Sequence, residues 1–333
     1  MTSQAEPRNQ TSDAVRAVHP ALAILIGAVC ALVALVPWIL EGGRQPVQNL
    51  WADGSFLGEM PIVLLPLGNY SVATTSALLV IGAAFAGAAV AIARGLHRTL
   101  SARLVLLGLL IVQVAALAHS AYVLTSGLGD GRRDQLYAGS LVGGALMTIA
   151  LGVLIMLGIA SAKPAPATLA IAASAVALNV WLPGLVLVIV PEQTVLPTLV
   201  WQSVSWLPAV ITGIAVGWCG VRTVGRAVAS VAAVLMIWIG PAFVTAVSYG
   251  LGTRIYLQYP AELLPASKQV FGLALGSTGQ GPQRVAITVA VALLAWLAFA
   301  ARDRMRAGAA TAPGAPEAPA ASLTDAPEPG TTT

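Results

Sequence analysis

The stretch PALAILIGAVCALVALVPWIL, Pro20–Leu40, carries no charged side chain. It has the about 20 residues that a helix needs to cross a hydrocarbon core about 30 Å thick. Seven further runs read the same way: Val72–Ala93, Leu104–Thr125, Ala138–Ser161, Thr168–Val190, Val204–Val221, Ala227–Gly250 and Val285–Ala301. None of the eight contains Asp, Glu, Lys or Arg. The whole chain of 333 residues is 57% hydrophobic and 9% charged, with a mean hydropathy of +0.84. Soluble domains carry about 25% charged residues, so a water-soluble globule is excluded. The expected fold class is an all-α polytopic membrane protein with eight transmembrane helices.

The organisation follows from these runs. Residues 1–19 form an N-terminal segment, 20–301 the transmembrane domain with long loops at 41–71 and 251–284, and 302–333 a tail. From Gly308 onward the tail is Ala/Pro/Gly/Thr-rich with nothing to bury, which predicts disorder. Basic residues set the orientation. With the N-terminus inside, Arg8, Arg16, Arg94, Arg98, Arg103, Lys163, Arg222, Arg226, Arg302, Arg304 and Arg306 are cytoplasmic. Only Arg44, Arg132, Arg133, Arg254, Lys268 and Arg284 then lie outside. Both termini are therefore expected in the cytoplasm. The Arg-, Ala- and Gly-rich vocabulary suggests a high-GC bacterial genome and hence a bacterial plasma membrane. The basic residues are scattered singly between apolar runs, which argues against nucleic acid as a partner.

Within the two long loops, Phe56–Leu67 and Tyr256–Leu275 are apolar, contain prolines and are too short to span. The favoured expectation is that they lie on the surface at headgroup level. Re-entrant half-helices or a small cap are the alternatives. Sliding the chain on itself superposes Arg103 on Arg226, Val105 on Val228, Gly127-Leu128-Gly129 on Gly250-Leu251-Gly252, Gln135 on Gln258 and Ala138 on Ala261. That is a faint signal of a parallel repeat of four helices plus four, with a pseudo-twofold axis along the membrane normal.

Charge-free spans leave no equipment for proton pumping or voltage sensing. His119 is the one ionisable residue inside a run. Gln113 and Ser120, seven apart, share one helix face, and His119 lies about 100° round from Ser120. The expected role of His119 is a neutral hydrogen bond between helices, with a proton acceptor or metal ligand as the sharper alternative. Asn179, Trp181 and Pro183 sit near the centre of the fifth run, and Gly240-Pro241 in the seventh. Mid-helix prolines free backbone carbonyls; the favoured expectation is that these are packing devices, with a central cavity opened by the two kinked helices for a neutral or amphiphilic ligand as the alternative. The candidate cavity residues are Gln113, His119, Asn179, Trp181 and Pro241.

Gly139/Gly143 and Gly213/Gly217 are G-xxx-G pairs that permit close helix approach, within the bundle or in a homodimer. Cys30 and Cys219 read as small buried hydrophobes. Outer-loop carboxylates Asp53 and Glu59 are the candidate catalytic pair for lipid chemistry, and Asp130-Gly131-Arg132-Arg133-Asp134 reads as a solvated charged loop. No motif predicts a metal or cofactor.

Three functional classes follow. A non-catalytic membrane subunit or scaffold of an envelope or secretion assembly is favoured. A passive or partner-driven translocator of a lipid or neutral solute comes next, and then a lipid-modifying enzyme using Asp53 or Glu59. The expected partners are the lipid bilayer and a membrane-protein partner or second copy.

Overall fold

A computed structural model of the chain describes residues 16–46, 60–190, 198–252, 260–276 and 280–310. Asp53 and Glu59, the tail beyond 310 and the middle of the first long loop lie outside these residues. The described part is built from helices: α1 Pro20–Leu40, α2 Val72–Gly95, α3 Ala102–Gly127, α4 Arg132–Ala160, α5 Pro164–Ile189, α6 Thr198–Cys219, α7 Val224–Gly252, α8 Pro260–Leu275 and α9 Gly281–Ala310. Seven of them (α1 to α5, α7 and α9) are long and apolar enough to cross a membrane. The chain is thus a helical, multi-pass membrane protein. α6 is long enough, but its first turns hold Trp201, Gln202, Ser203 and Ser205, and it falls outside that set. Several helices overrun their apolar cores. α4 begins at Arg132 and α9 continues through Arg302–Arg306, because Arg and Met propagate a helix nearly as well as Ala once water satisfies their heads.

Contacts between helix termini define two ends: Arg94 Nη2 donates to Ala160 O and Arg222 pairs with Asp303 at one, and Asn69 Nδ2 donates to Leu251 O at the other. A two-residue parallel pairing of Arg16–Ala17 with Arg98–Thr99 ties the N-terminal segment to the α2–α3 turn. At that end the described residues place Arg16, Arg94, Arg98, Arg103, Lys163, Arg222, Arg226, Arg302, Arg304 and Arg306 against one acid, Asp303. The opposite end, which carries the long loops, mixes Arg44, Arg132, Arg133, Lys268 and Arg284 with Glu41, Asp130, Asp134 and Glu262.

Small residues decide which helices touch. α1 packs mainly on α3, and α2 on α4. A Cβ on Gly27 would strike the backbone of Val105, and one on Gly108 the carbonyl of Ile24. Gly87 lies against the Met156 carbonyl, and Gly152 against Ala83. In the later half α6 packs mainly on α9, where a Cβ on Gly213 would come within 2.7 Å of Thr288 O and one on Gly217 within 2.6 Å of Ala292 O. α5 packs on α6 and α7, and α5 also docks against α2 and α4, which joins the two halves. Of the two expected G-xxx-G contacts, only Gly213/Gly217 is used. Gly139 and Gly143 have open space around them.

The first long loop departs from the surface placement expected for it. After Met60 the chain runs extended into the loop end of the bundle, with Val63, Leu65 and Leu67 buried and Ile62 and Leu64 facing out. The alternation runs only from Ile62 to Leu65; from Leu65 to Gly68 every residue is buried. Its backbone is satisfied from several directions: Trp38 Nε1 donates to Val63 O at 2.9 Å, Gln45 Nε2 to Leu67 O at 2.6 Å, and Leu65 N to Ser120 Oγ at 2.8 Å. Val63 N also bonds Gly43 O, and Thr75 Oγ1 donates to Pro66 O. Irregular backbone survives at membrane depth only when protein groups satisfy it in this way. The inserted segment completes the largest apolar core, where Leu65 and Leu67 meet Leu78, Leu79, Leu117 and Leu124.

In the second long loop, α8 is a 16-residue helix, too short to span, lying along α7. Trp238 Nε1 reaches Leu275 O at 3.2 Å and anchors its end.

Candidate functional site: an amphipathic cleft at the loop end

Two cavities meet between α2, α4, α5 and α7. The outer one, about 250 Å³, is lined by Asn69, Val72, Thr75, Ser76, Tyr137, Ser140, Gly144 and Leu251. The inner one, about 220 Å³, is lined by Ala77, Val80, Leu151, Ile155, Ala173, Val176, Val180, Phe243 and Val247. Val72 and Ser76 line both. Both cavities are lined mainly by hydrocarbon, with neutral polar side chains in each: Asn69, Thr75, Tyr137 and Ser140 in the outer one, Ser76 and Ser248 in the inner one.

The outer cavity is held by the inserted segment. Gly68 ends the extended run, and the short turn Asn69–Ser71 leads into α2. Asn69 N donates to Tyr137 Oη at 3.3 Å, Tyr137 Oη donates to Asn69 Oδ1 at 3.4 Å, and Asn69 Nδ2 donates to Leu251 O at 3.1 Å. One side chain thereby ties α2, α4 and α7. Ser140 Oγ donates to Tyr137 O at 2.8 Å, one turn along the same face of α4. Ser76 Oγ and Thr148 Oγ1 are 3.4 Å apart. These hydroxyls keep acceptor capacity for a ligand's donors. Among the described residues no Asp, Glu, Lys, Arg or His lines either cavity, so the site suits a neutral polar group attached to an apolar body.

The residues expected from sequence lie around this cleft rather than in it. Gln113 is buried on α3, and its Nε2 donates to Leu79 O of α2 at 2.8 Å. His119 is exposed on the outer face of α3, with no hydrogen bond among the described residues. Its neighbour Ser120 instead accepts from Leu65 N of the inserted segment, a bond from helix to insert and not between helices. Asn179 Nδ2 bonds Ala175 O within its own helix at 3.0 Å. Trp181 Nε1 donates to Ala34 O of α1 at 2.8 Å, and its ring meets Phe85 edge-on with centroids 5.8 Å apart. Gly240 packs against Val176 of α5, and Pro241 O accepts from Thr245 Oγ1. The two proline-bearing helices do border the cleft, through Val176 and Val180 on α5 and Phe243 and Val247 on α7.

The sequence reading missed Asn69, Thr75, Ser76, Tyr137 and Ser140. Their signal was faint: short polar residues in the first turns of α2 and α4, where hydroxyls usually serve only their own helix. Asp134 caps its own loop, with Oδ2 about 3 Å from where Cβ atoms would stand on Gly129 and Gly131. Among the described residues no three His, Cys, Asp or Glu side chains gather as metal ligands. No family model, curated protein or solved structure matches the chain.

Proposed function

We propose that this chain is an eight-span protein of the bacterial plasma membrane that holds a neutral amphiphile, a lipid or lipid-like solute, in the cleft between α2, α4, α5 and α7. The observation that carries the reading is a joined pair of mainly apolar cavities with no charged side chain among their described lining residues and a few neutral polar groups, Asn69, Tyr137 and Ser140 in the outer one and Ser76 and Ser248 in the inner one. Translocation of such a molecule, passive or driven by a partner, is the activity this site would serve. α6 supplies the eighth span, and both termini lie in the cytoplasm, since ten basic residues collect at the end shared by the N-terminal segment and α9.

The transporter reading includes a four-plus-four repeat, and the pattern of helix pairing is what supports it. α1/α3 and α2/α4 in the first half correspond to α5/α7 and α6/α9 in the second. The crossings correspond in detail. Ala83 on Gly152 and Gly87 on Met156 match Gly213 on Thr288 and Gly217 on Ala292. The superposition of Val105 on Val228 does not survive, because Val105 is fully buried and Val228 is 62% exposed. A twofold axis is also unsupported: α5 docks on α1, α2 and α4, while α1 has no comparable packing on α6 or α9.

The test uses two glycines that both face open space. Gly144 lines the outer cavity, and Gly139, on the same helix, lines neither cavity. Gly144→Leu fills the outer cavity without a clash and is expected to abolish co-purification of lipid in mild detergent, measured by mass spectrometry. Gly139→Leu is expected to leave the cargo unchanged. A wild-type protein recovered empty, or equal loss in both variants, overturns the proposal.

The scaffold reading retains one supporting observation. Gly139, Gly143 and the 76% exposed Met147 leave a small-residue groove on the outside of α4, where a helix of a partner protein or a second copy could approach closely. Stoichiometric recovery of a partner protein, lost in Gly139→Leu, would favour it.

A further inference from the structure

A third cavity, of about 260 Å³, opens at the basic end where α6 stops and α9 runs on beyond the apolar core. Gly217 packs so closely on Ala292 that the two helices meet just above it. Gly220, with φ +63°, then turns the chain sharply toward α7. This brings Arg222 of the α6–α7 link and Arg226 of the first turn of α7 beside Arg302 and Arg306 of α9, with Trp218 and Trp296 also lining the space.

The charge arrangement is unfavourable without a counter-ion. Arg302 and Arg306 are one helical turn apart, a like-charge spacing that weakens a helix. The four guanidiniums share one carboxylate, Asp303, whose contact with Arg222 is 3.7 Å between side chains 77% and 63% exposed. An ion pair that open contributes little. Among the described residues, Arg226, Arg302 and Arg306 have no acidic partner. Two tryptophans half in and half out at the end of apolar helices mark the interfacial level of a bilayer. At that level the anions on offer are phosphates, and guanidinium matches phosphate with paired N–H donors.

We infer that this pocket binds a phosphate group, presented by the headgroup of an anionic phospholipid. The inference rests on the chain's spanning the membrane and is independent of the outer cleft. Such a lipid would clamp the α6–α7 link to α9 and supply the missing negative charge between them.

The experiment titrates the full chain in neutral detergent with short-chain phosphatidylglycerol, short-chain phosphatidylcholine and inorganic phosphate, following tryptophan fluorescence. Phosphatidylglycerol is expected to bind and phosphatidylcholine not. Each interfacial arginine contributes about fivefold, so Arg226→Gln with Arg302→Gln should weaken binding about 30-fold. Arg132→Gln with Arg133→Gln, at the other end, should change nothing. Asp303→Asn, an exposed change that leaves packing intact, should tighten binding about fivefold by freeing Arg222. Competition by inorganic phosphate would support the pocket and assign it to free anions as well as lipid. Equal binding of the two lipids, wild-type affinity in the arginine double variant, or no gain in Asp303→Asn would overturn the inference.

Discussion

Gln113, His119 and Ser120 stand close together on one helix and have three different fates. Gln113 and Ser120 share a face and are both buried, the first bonding α2 and the second the inserted segment. His119 is rotated away from them and is exposed. Helical geometry made the separation visible from sequence, but not which side faced the protein. His119→Phe is expected to leave both thermal stability and bound lipid at wild-type levels, as read by thermal unfolding in detergent and lipid mass spectrometry. Ser120→Ala leaves the Leu65 N–H without its partner in a fully buried site, at a cost of about 1–3 kcal/mol. The same thermal assay should separate the two variants clearly. Trp181 likewise works as a strut, since its indole joins α5 to α1 and its ring meets α2.

At the scale of elements, the inserted segment is the feature that makes the cleft. It reaches the bundle interior because Gln45, Trp38, Thr75 and Ser120, from three different parts of the chain, meet its backbone groups. Hydropathy alone counted it as too short to span and could not locate those partners. The glycine pairs show the same division. Gly213/Gly217 and Gly139/Gly143 are alike as motifs, yet only the first pair has a helix against it. Gly217→Leu would push into the Ala292 carbonyl and Ala295, costing about 1–3 kcal/mol by overpacking. Gly139→Leu should be tolerated, and comparing detergent melting temperatures of the two checks this.

Across the whole molecule, small residues mark the join between the halves and large ones mark what faces lipid. Gly158 touches Ala170 and Pro166 of α5, and Ala77 and Ala84 flank the same seam. By contrast Leu207 and Ile214 on α6 and Leu294 on α9 are exposed. Bulky residues there suit lipid, whereas helix seams favour small ones. Gly158→Leu is therefore expected to loosen α4 from α5, by about 1–3 kcal/mol, while Leu294→Ala leaves stability unchanged in the same melting assay. Sidedness belongs to this scale too. Cysteines introduced at Gly129 and near the C-terminus should label from outside and inside respectively; cytoplasmic labelling at Gly129 would reverse the orientation.

The sequence by itself determined the class of this protein, the approximate span of each long helix and the absence of fixed charge in the apolar runs. Those features depend on local hydropathy, which needs no knowledge of neighbours. It also located the basic end and suggested that α5 and α7 border a ligand space. Only the tertiary structure decided that Phe56–Leu67 ends in a buried insert, that Asn69, Tyr137 and Ser140 line the outer cavity, and that Asn179, Trp181 and Pro241 do not line either cavity. It alone brought Arg222 and Arg226 beside Arg302 and Arg306. The reason is common to all of these: each depends on which residues from distant parts of the chain come to share one space. In a sequence of near-uniform Ala, Val, Leu and Gly, that pairing is set by close approach at a few glycines and by scattered side-chain bonds to backbone, neither of which leaves a periodic trace.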